Sequence, residues 1–115
     1  MKPGEIYWVD LPPANGHEQA GRRPALILQD DAYAAASPLV LLIPLTTAPS
    51  VQRFPGVVSI PAAPENDLQT DSFGLVFQLR AIDRRRIRER LGSVAETVLA
   101  EIHAVLNRLF GRSNA

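Results

Sequence analysis

Over the first 82 residues the apolar positions come only in short segments, and proline or glycine stands at most of the segment ends. Proline fixes φ and offers no N–H, so a segment bounded this way stops where the proline stands. That punctuation leaves room for short strands joined by turns and little else. Glu5–Leu11 alternates Tyr7, Val9 and Leu11 with Ile6, Trp8 and Asp10, the period of a strand. Residues 24–29 read as a second strand. Residues 39–45 are almost wholly apolar, as in a strand covered on both faces. Val57–Ile60 is fenced by Pro55 and Pro61, and residues 73–82 make a last strand in which Gly74 marks a bulge or a close approach.

The pattern then changes. Ser93 and Glu96 have the spacing of a capping box, and Val94, Val98, Ile102, Val105, Leu106 and Leu109 follow at intervals of three and four. Gly111 stands where a left-handed C-terminal cap is wanted, so a helix is predicted from about 94 to 110. Residues 84–91 predict one or two further helical turns stopped by Gly92, while "PPANGHEQAGR" and "DDAYAAASP" read as loops. Strands followed by a helix give an α+β, mainly β fold: a small twisted sheet or barrel with a helix packed on it. Without alternating helices there is no doubly wound parallel sheet.

A chain of 115 residues is one domain by size, 1–115, and can bury a core without disulfides. It has no cysteine, which excludes thiol catalysis and thiolate metal sites. No apolar run nears a membrane span, and the N-terminal "MKPGEIYWVD" has no signal core, so a soluble cytoplasmic protein is expected. The 12 basic and 12 acidic residues cancel, but six arginines fall at 80, 84, 85, 86, 88 and 90, offset only by Asp83 and Glu89. A patch of that kind either binds phosphate or is a solvated face.

Catalytic fingerprints are scarce. There is no P-loop, Rossmann or nucleophile-elbow motif. The two histidines, His17 and His103, and the carboxylates at 65, 67 and 71 lack metal-ligand spacing, so no metal is expected. What remains is "GHEQAGRRPALIL" and the strand end "IPLTT". A long polar loop in so small a domain asks for an explanation. Thr46 and Thr47 close a buried strand and would present a hydroxyl at a rigid rim. Gln78, an amide within the apolar run "GLVFQLRAI", must find partners if buried.

These residues carry a resemblance. "PGEIYWVDLPPANGHEQAGRRPALIL", "VLLIPLTT" and "TDSFGLVFQLRAIDRRRI" resemble the MazF/PemK/Kid family of toxin endoribonucleases, and the similarity runs from residue 3 to about 110. Its most specific segment is G-x-E-Q-x-G-x-R-P. The resemblance implies an SH3-like β-barrel with a C-terminal helix, acting as a homodimer. It implies cleavage of single-stranded RNA, often mRNA, without metal or cofactor, to 2′,3′-cyclic phosphate and 5′-hydroxyl ends. It also implies a cognate, MazE-like antitoxin that blocks the RNA groove. By position, the family arginine before proline is Arg23, the hydroxyl after the buried strand is Thr46, and the acid of G-x-E-Q is Glu18. His17 and Gln78 fall where some members contact RNA or support the site, and Gln19, Arg80, Arg84 and Arg86 are the further candidates for RNA contact.

Some members place Arg-x-Asp just before the glutamine as acid and base; here those positions are Leu75, Val76 and Phe77. Arg23 and Thr46 are then left to carry the chemistry. Arg23 can fork onto two phosphate oxygens, and its permanent charge suits a phosphorane. Thr46 can donate to a non-bridging oxygen. Glu18 is suited to orienting Arg23, while His17, with a reference pKa of about 6.5, competes with it as a base. Two other functions compete: a toxin of the same fold that binds DNA gyrase, as CcdB does, and a non-catalytic SH3-like peptide-binding module. The first needs no catalytic arginine or threonine, and the second needs an aromatic groove that seven aromatic residues hardly supply.

Overall fold

The computed structural model describes residues 1–112; the expected domain boundary at 115 lies outside them. The strands are β1 (Glu5–Leu11), β2 (Gly21–Ile27), β3 (Leu39–Thr46), β4 (Val57–Ile60), β5 (Ser72–Leu75), β6 (Arg80–Asp83) and β7 (Ile87–Ser93). The helices are α1 (Asp31–Ala36) and α2 (Glu96–Leu109). All strand pairs are antiparallel. β6, β3, β2, β1 and β7 lie side by side in that order, and β5 with β4 extends from the far end of β3.

Why the five-strand layer curls follows from its connection. Laid flat, strands about 4.8 Å apart would hold β6 and β7 about 19 Å from each other. Residues 84–86 alone join them, and even a fully extended link would reach only about 14 Å. A 3₁₀ turn occupies that link and shortens it further. The layer must therefore close into a barrel. Its interior takes alternate side chains from every strand: Val9 and Leu11, Ala25 and Ile27, Val40 and Leu42, and Ile82, with Ile87 packed against them.

The intervening residues turn outward. Ile6, Leu26, Ile43 and Leu45 meet Val58 and Ile60 of β4 and Ile102 and Val105 of α2 in a second core. Each fully buried side chain of this kind contributes about 1.5–3 kcal/mol. The stripe read on α2 is thus its buried face as far as Leu106, with Leu109 left exposed, and the helix ends as expected. Gly111 adopts φ +73°, its N–H donates to the Arg108 carbonyl, and the Arg112 N–H reaches back to Asn107.

Four local expectations are corrected. Residues 84–91 are not helical beyond the 3₁₀ turn at 84–86; they lead into β7, because the open edge of β1 offers a ladder that outweighs arginine's helix preference. Cross-strand ion pairs from Arg90 to Glu5 (2.8 Å) and from Arg88 to Asp10 (2.7 Å) accompany that pairing. Gly92, expected as a helix stop, lies where β7 passes beneath the 61–68 loop, and a Cβ there would sit 2.3 Å from the Glu65 carbonyl oxygen. Ser93 belongs to that strand and its N–H bonds Glu65, so the capping box does not form and α2 starts from Ala95. The loop "DDAYAAASP" contains α1, capped by the Asp30 carboxylate accepting the Ala32 N–H.

The fourth correction matters for function. Residues 73–82 are two strands broken by a 3₁₀ turn at Val76–Gln78. Leu28 donates its N–H to the Leu41 carbonyl, so odd residues of β3 turn their backbone groups to β2 and even ones to β5 and β6. Pro44 is even and has no N–H to give. Continuing the β3–β6 register from Leu42↔Arg80 sets Pro44 opposite Gln78. The ladder breaks where its donor is missing.

Candidate active site at the mouth of the barrel

The long loop between β1 and β2 is tied down by side chains. Gln78, set free by the broken strand, accepts the Gln19 backbone N–H through Oε1 at 2.8 Å. Its Nε2 donates to the His17 carbonyl at 3.3 Å. Arg80 donates from one terminal nitrogen to the Gln19 carbonyl at 3.2 Å. His17 and Glu18 remain exposed at the outer turn. His17, Gln19, Phe54, Phe77 and Gln78 line a cavity of about 320 Å³ beside the loop.

Arg23 and Thr46 stand on neighbouring strands, each just beyond the last β2–β3 pair. β2 pairs with β3 through Ala25↔Pro44, and two more residues of that register set Arg23 opposite Thr46. Strand alternation puts both on the inward face that Ala25 and Leu42 share. Arg23 is half-buried, and its Nε–H donates to the Ala20 carbonyl at 3.1 Å, which uses one of five donors. Thr46 is not a free hydroxyl on a rim, as the sequence suggested, but 7 % exposed. Its oxygen accepts the Ala48 N–H at 3.2 Å, leaving the hydroxyl proton to be donated elsewhere.

The chain matches the profile of the family described as PemK-like, MazF-like toxin of type II toxin-antitoxin system, over residues 2–110. It is 32% identical over 114 residues to the endoribonuclease MazF of Staphylococcus epidermidis, covering 99% of this chain and 94% of that one. Among solved structures, MazF of Deinococcus radiodurans superposes with a TM-score of 0.82 at 34% identity, over 96% of each chain. A MazE-MazF structure from the same organism gives 0.77 at 33% identity, over 98% of this chain and 97% of that one. The chain belongs to the PemK/MazF toxin family. As a MazF-like toxin it is an endoribonuclease of a type II toxin–antitoxin system, and the gyrase-binding alternative is not favoured.

For a MazF-like toxin, the placement of the remaining sequence candidates divides in two. His17, Glu18, Gln19, Arg23, Thr46, Gln78 and Arg80 gather at one end of the barrel. Glu18 does not orient Arg23 in this structure: the Ala20 carbonyl does, and no ion pair joins Glu18 to Arg23 among the described residues. Arg84 lies elsewhere. It donates to the Ser37 carbonyl beside Leu39, seven residues and about 23 Å along β3 from Thr46. Arg86 reaches the Asp10 carbonyl, next to Arg22 in the β1–β2 ladder.

The basic stretch is partly neutralised by ion pairs. Arg85, Arg88 and Arg90 pair with Asp83, Asp10 and Glu5, and Glu89 pairs with Arg22 at 2.8 Å. Hydrogen bonds from the Arg85 side chain and backbone hold the Asp83 carboxyl down at about 2. At Glu5 burial pushes the pKa up, but the Lys2 N–H and Arg90 more than offset it and leave it lowered. Half of the six arginines are thus held in ion pairs, and Arg80, Arg84 and Arg86 donate to backbone carbonyls instead.

Among the described residues, no three His, Asp or Glu side chains gather as a metal site. No helix of the described chain is long and apolar enough to cross a membrane. Sequence reasoning missed Phe54 and Phe77, which stand 47% and 46% exposed on the cavity wall, with Arg53 over the Phe54 ring at 5.1 Å. The segment "RFPG" carried a signal, an aromatic side chain inside a turn.

Proposed function

We propose that this toxin cleaves single-stranded RNA, mRNA above all, by driving a ribose 2′-oxygen onto the neighbouring phosphorus, with no metal or cofactor. The O2′–P bond forms and the P–O5′ bond breaks. The proton of the 2′-hydroxyl passes to a base, and a proton is delivered to the departing 5′-oxygen. The products are a 2′,3′-cyclic phosphate and a 5′-hydroxyl. The observation that carries this reading is the β2–β3 register, which, continued two residues past Ala25↔Pro44, sets Arg23 and Thr46 opposite each other on the inward face. A forked cation and a hydroxyl donor converging there suit the extra charge on a pentavalent phosphorus. Glu18 and His17, exposed on the adjoining loop, are the groups able to take the 2′-hydroxyl proton.

The reading takes residues 1–115 as one unit that works in the cytoplasm as a homodimer. Phe77 and Leu109 flank Gly56 at the end of α2, and with Phe110 they leave an apolar group uncovered next to the cavity. A second copy covering it would set two loops side by side, and a cognate MazE-like antitoxin lying across them would exclude RNA. Primer extension on a long RNA incubated with the pure protein tests the reading. Discrete cuts whose 5′ ends a kinase labels directly are expected; intact RNA would overturn it.

A further inference from the structure

We infer that Gln78, backed by Arg80, is a positioning residue that latches the 17–19 loop and through it aims Arg23, and that it is not an RNA ligand. The inference rests on the RNA-cleaving reading above. Each end of the Gln78 carboxamide is committed to the loop backbone, Oε1 to the Gln19 N–H and Nε2 to the His17 carbonyl, so contacting RNA with the bonds it now makes would mean letting go of the loop. Arg80 takes the Gln19 carbonyl, so both backbone groups of Gln19 are held from one short stretch of β6 and the turn before it.

The latch reaches the reacting centre in few steps. Gln19 is bonded to Ala20, and the Ala20 carbonyl receives the Nε–H of Arg23. A shift of Gln19 therefore moves the acceptor that fixes the guanidinium plane. Displacing a catalytic group by about 1 Å can cost about 100-fold in rate, even when the mutation lies outside the chemistry. The fold itself is built to release this side chain: Pro44 denies the ladder a donor, the 3₁₀ turn forms, and Gln78 is half-buried against the loop instead of paired in the sheet.

The test compares the full-length protein with Gln78→Leu, which keeps bulk and loses both bonds, and Gln78→Glu, which keeps the acceptor for Gln19. Three quantities are read: single-turnover cleavage, binding of an RNA with one 2′-deoxy residue at the cut site, and amide hydrogen exchange at Gln19. The latch requires Q78L to cleave at least about tenfold more slowly, because a misaimed Arg23 stabilises the transition state less. It also requires binding within about twofold of wild type and Gln19 exchange accelerated several-fold, since freeing an amide from its bond opens it to solvent. Q78E should recover part of the protection and part of the rate. Weaker binding with an unchanged saturated rate and unchanged exchange would make Gln78 an RNA ligand and overturn the inference. Should Q78L not fold, the isosteric Q78E gives the same three readouts, with partial deprotection and partial loss of rate expected. A wild-type protein that cuts no RNA would sink the RNA reading alone, because the exchange measurement reports on the latch without substrate.

Discussion

The Nε–H of Arg23 donates to the carbonyl of Ala20 at 3.1 Å, three residues back along the loop that leads into β2. One edge of the guanidinium is thereby fixed by the backbone, while the forked terminal nitrogens keep their donors for a phosphate. A lysine keeps the charge and loses both the fixed plane and the fork.

Arg23→Ala and Arg23→Lys are therefore both expected to cut cleavage by about 10²–10³, the usual cost of one transition-state donor. Thr46→Val should match them in rate. Thr46→Ala and Thr46→Val should each also lower stability by about 1 kcal/mol, because the Ala48 N–H loses its acceptor. Single-turnover cleavage and urea unfolding separate the two effects. Near wild-type cleavage by both Arg23 variants would remove Arg23 from the site.

In the proposed reaction the attacking oxygen belongs to the substrate, as the ribose 2′-hydroxyl beside the scissile phosphate. Replacing the 2′-hydroxyl next to the scissile phosphate by hydrogen should abolish cutting and spare binding. Excess EDTA should leave the rate unchanged. Cleavage of the deoxy substrate, or loss of activity in EDTA restored by Mg²⁺, would contradict the mechanism.

Phe77 is 46% and Leu109 43% exposed, beside one another across Gly56. If a second copy covers this patch as proposed, Leu109→Arg should place a charge between the two copies and shift the protein to monomer in sedimentation at micromolar concentration. A wild-type protein that already sediments as a monomer would show that this patch serves another purpose.

Gly92→Ala would drive a methyl group against the Glu65 carbonyl and lift the 61–68 loop off β7, breaking the Ser93–Glu65 bond. A loss of about 1–3 kcal/mol in urea unfolding is expected, as for other overpacked sites. An unchanged midpoint would mean that the loop yields freely.

Asp83 supplies a pH signature. Its pKa falls from 3.8 to about 2, with the Arg85 side-chain hydrogen bond the leading cause. A carboxyl depressed in the folded state stabilises the fold fully above its unfolded value, and that contribution fades as pH drops through the folded value. The stability gap between wild type and Asp83→Asn should be constant above about pH 5 and close between about pH 4 and 2. Carboxyl NMR placing the Asp83 midpoint near 4 would refute the assignment.

The residue pattern alone determined much of this protein. Alternation located β1, an unbroken apolar run located β3, flanking prolines located β4, and the stripe from Val94 to Leu109 with Gly111 behind it located α2, because period and punctuation are local properties. "GHEQAGRRP" marked the loop, since a polar cluster that long needs a reason to exist in a small domain, and the resemblance to the family pattern picked out Arg23 within it. What the sequence could not decide depends on partners distant along the chain. Residues 87–91 became strand because β1 had an open edge, and Arg88 and Arg90 there found carboxylates on β1. Gln78 could be read as a polar side chain in need of a partner, but not as the holder of Gln19, fifty-nine positions away. That contact forms where the sheet breaks opposite Pro44, which has no N–H to offer the ladder.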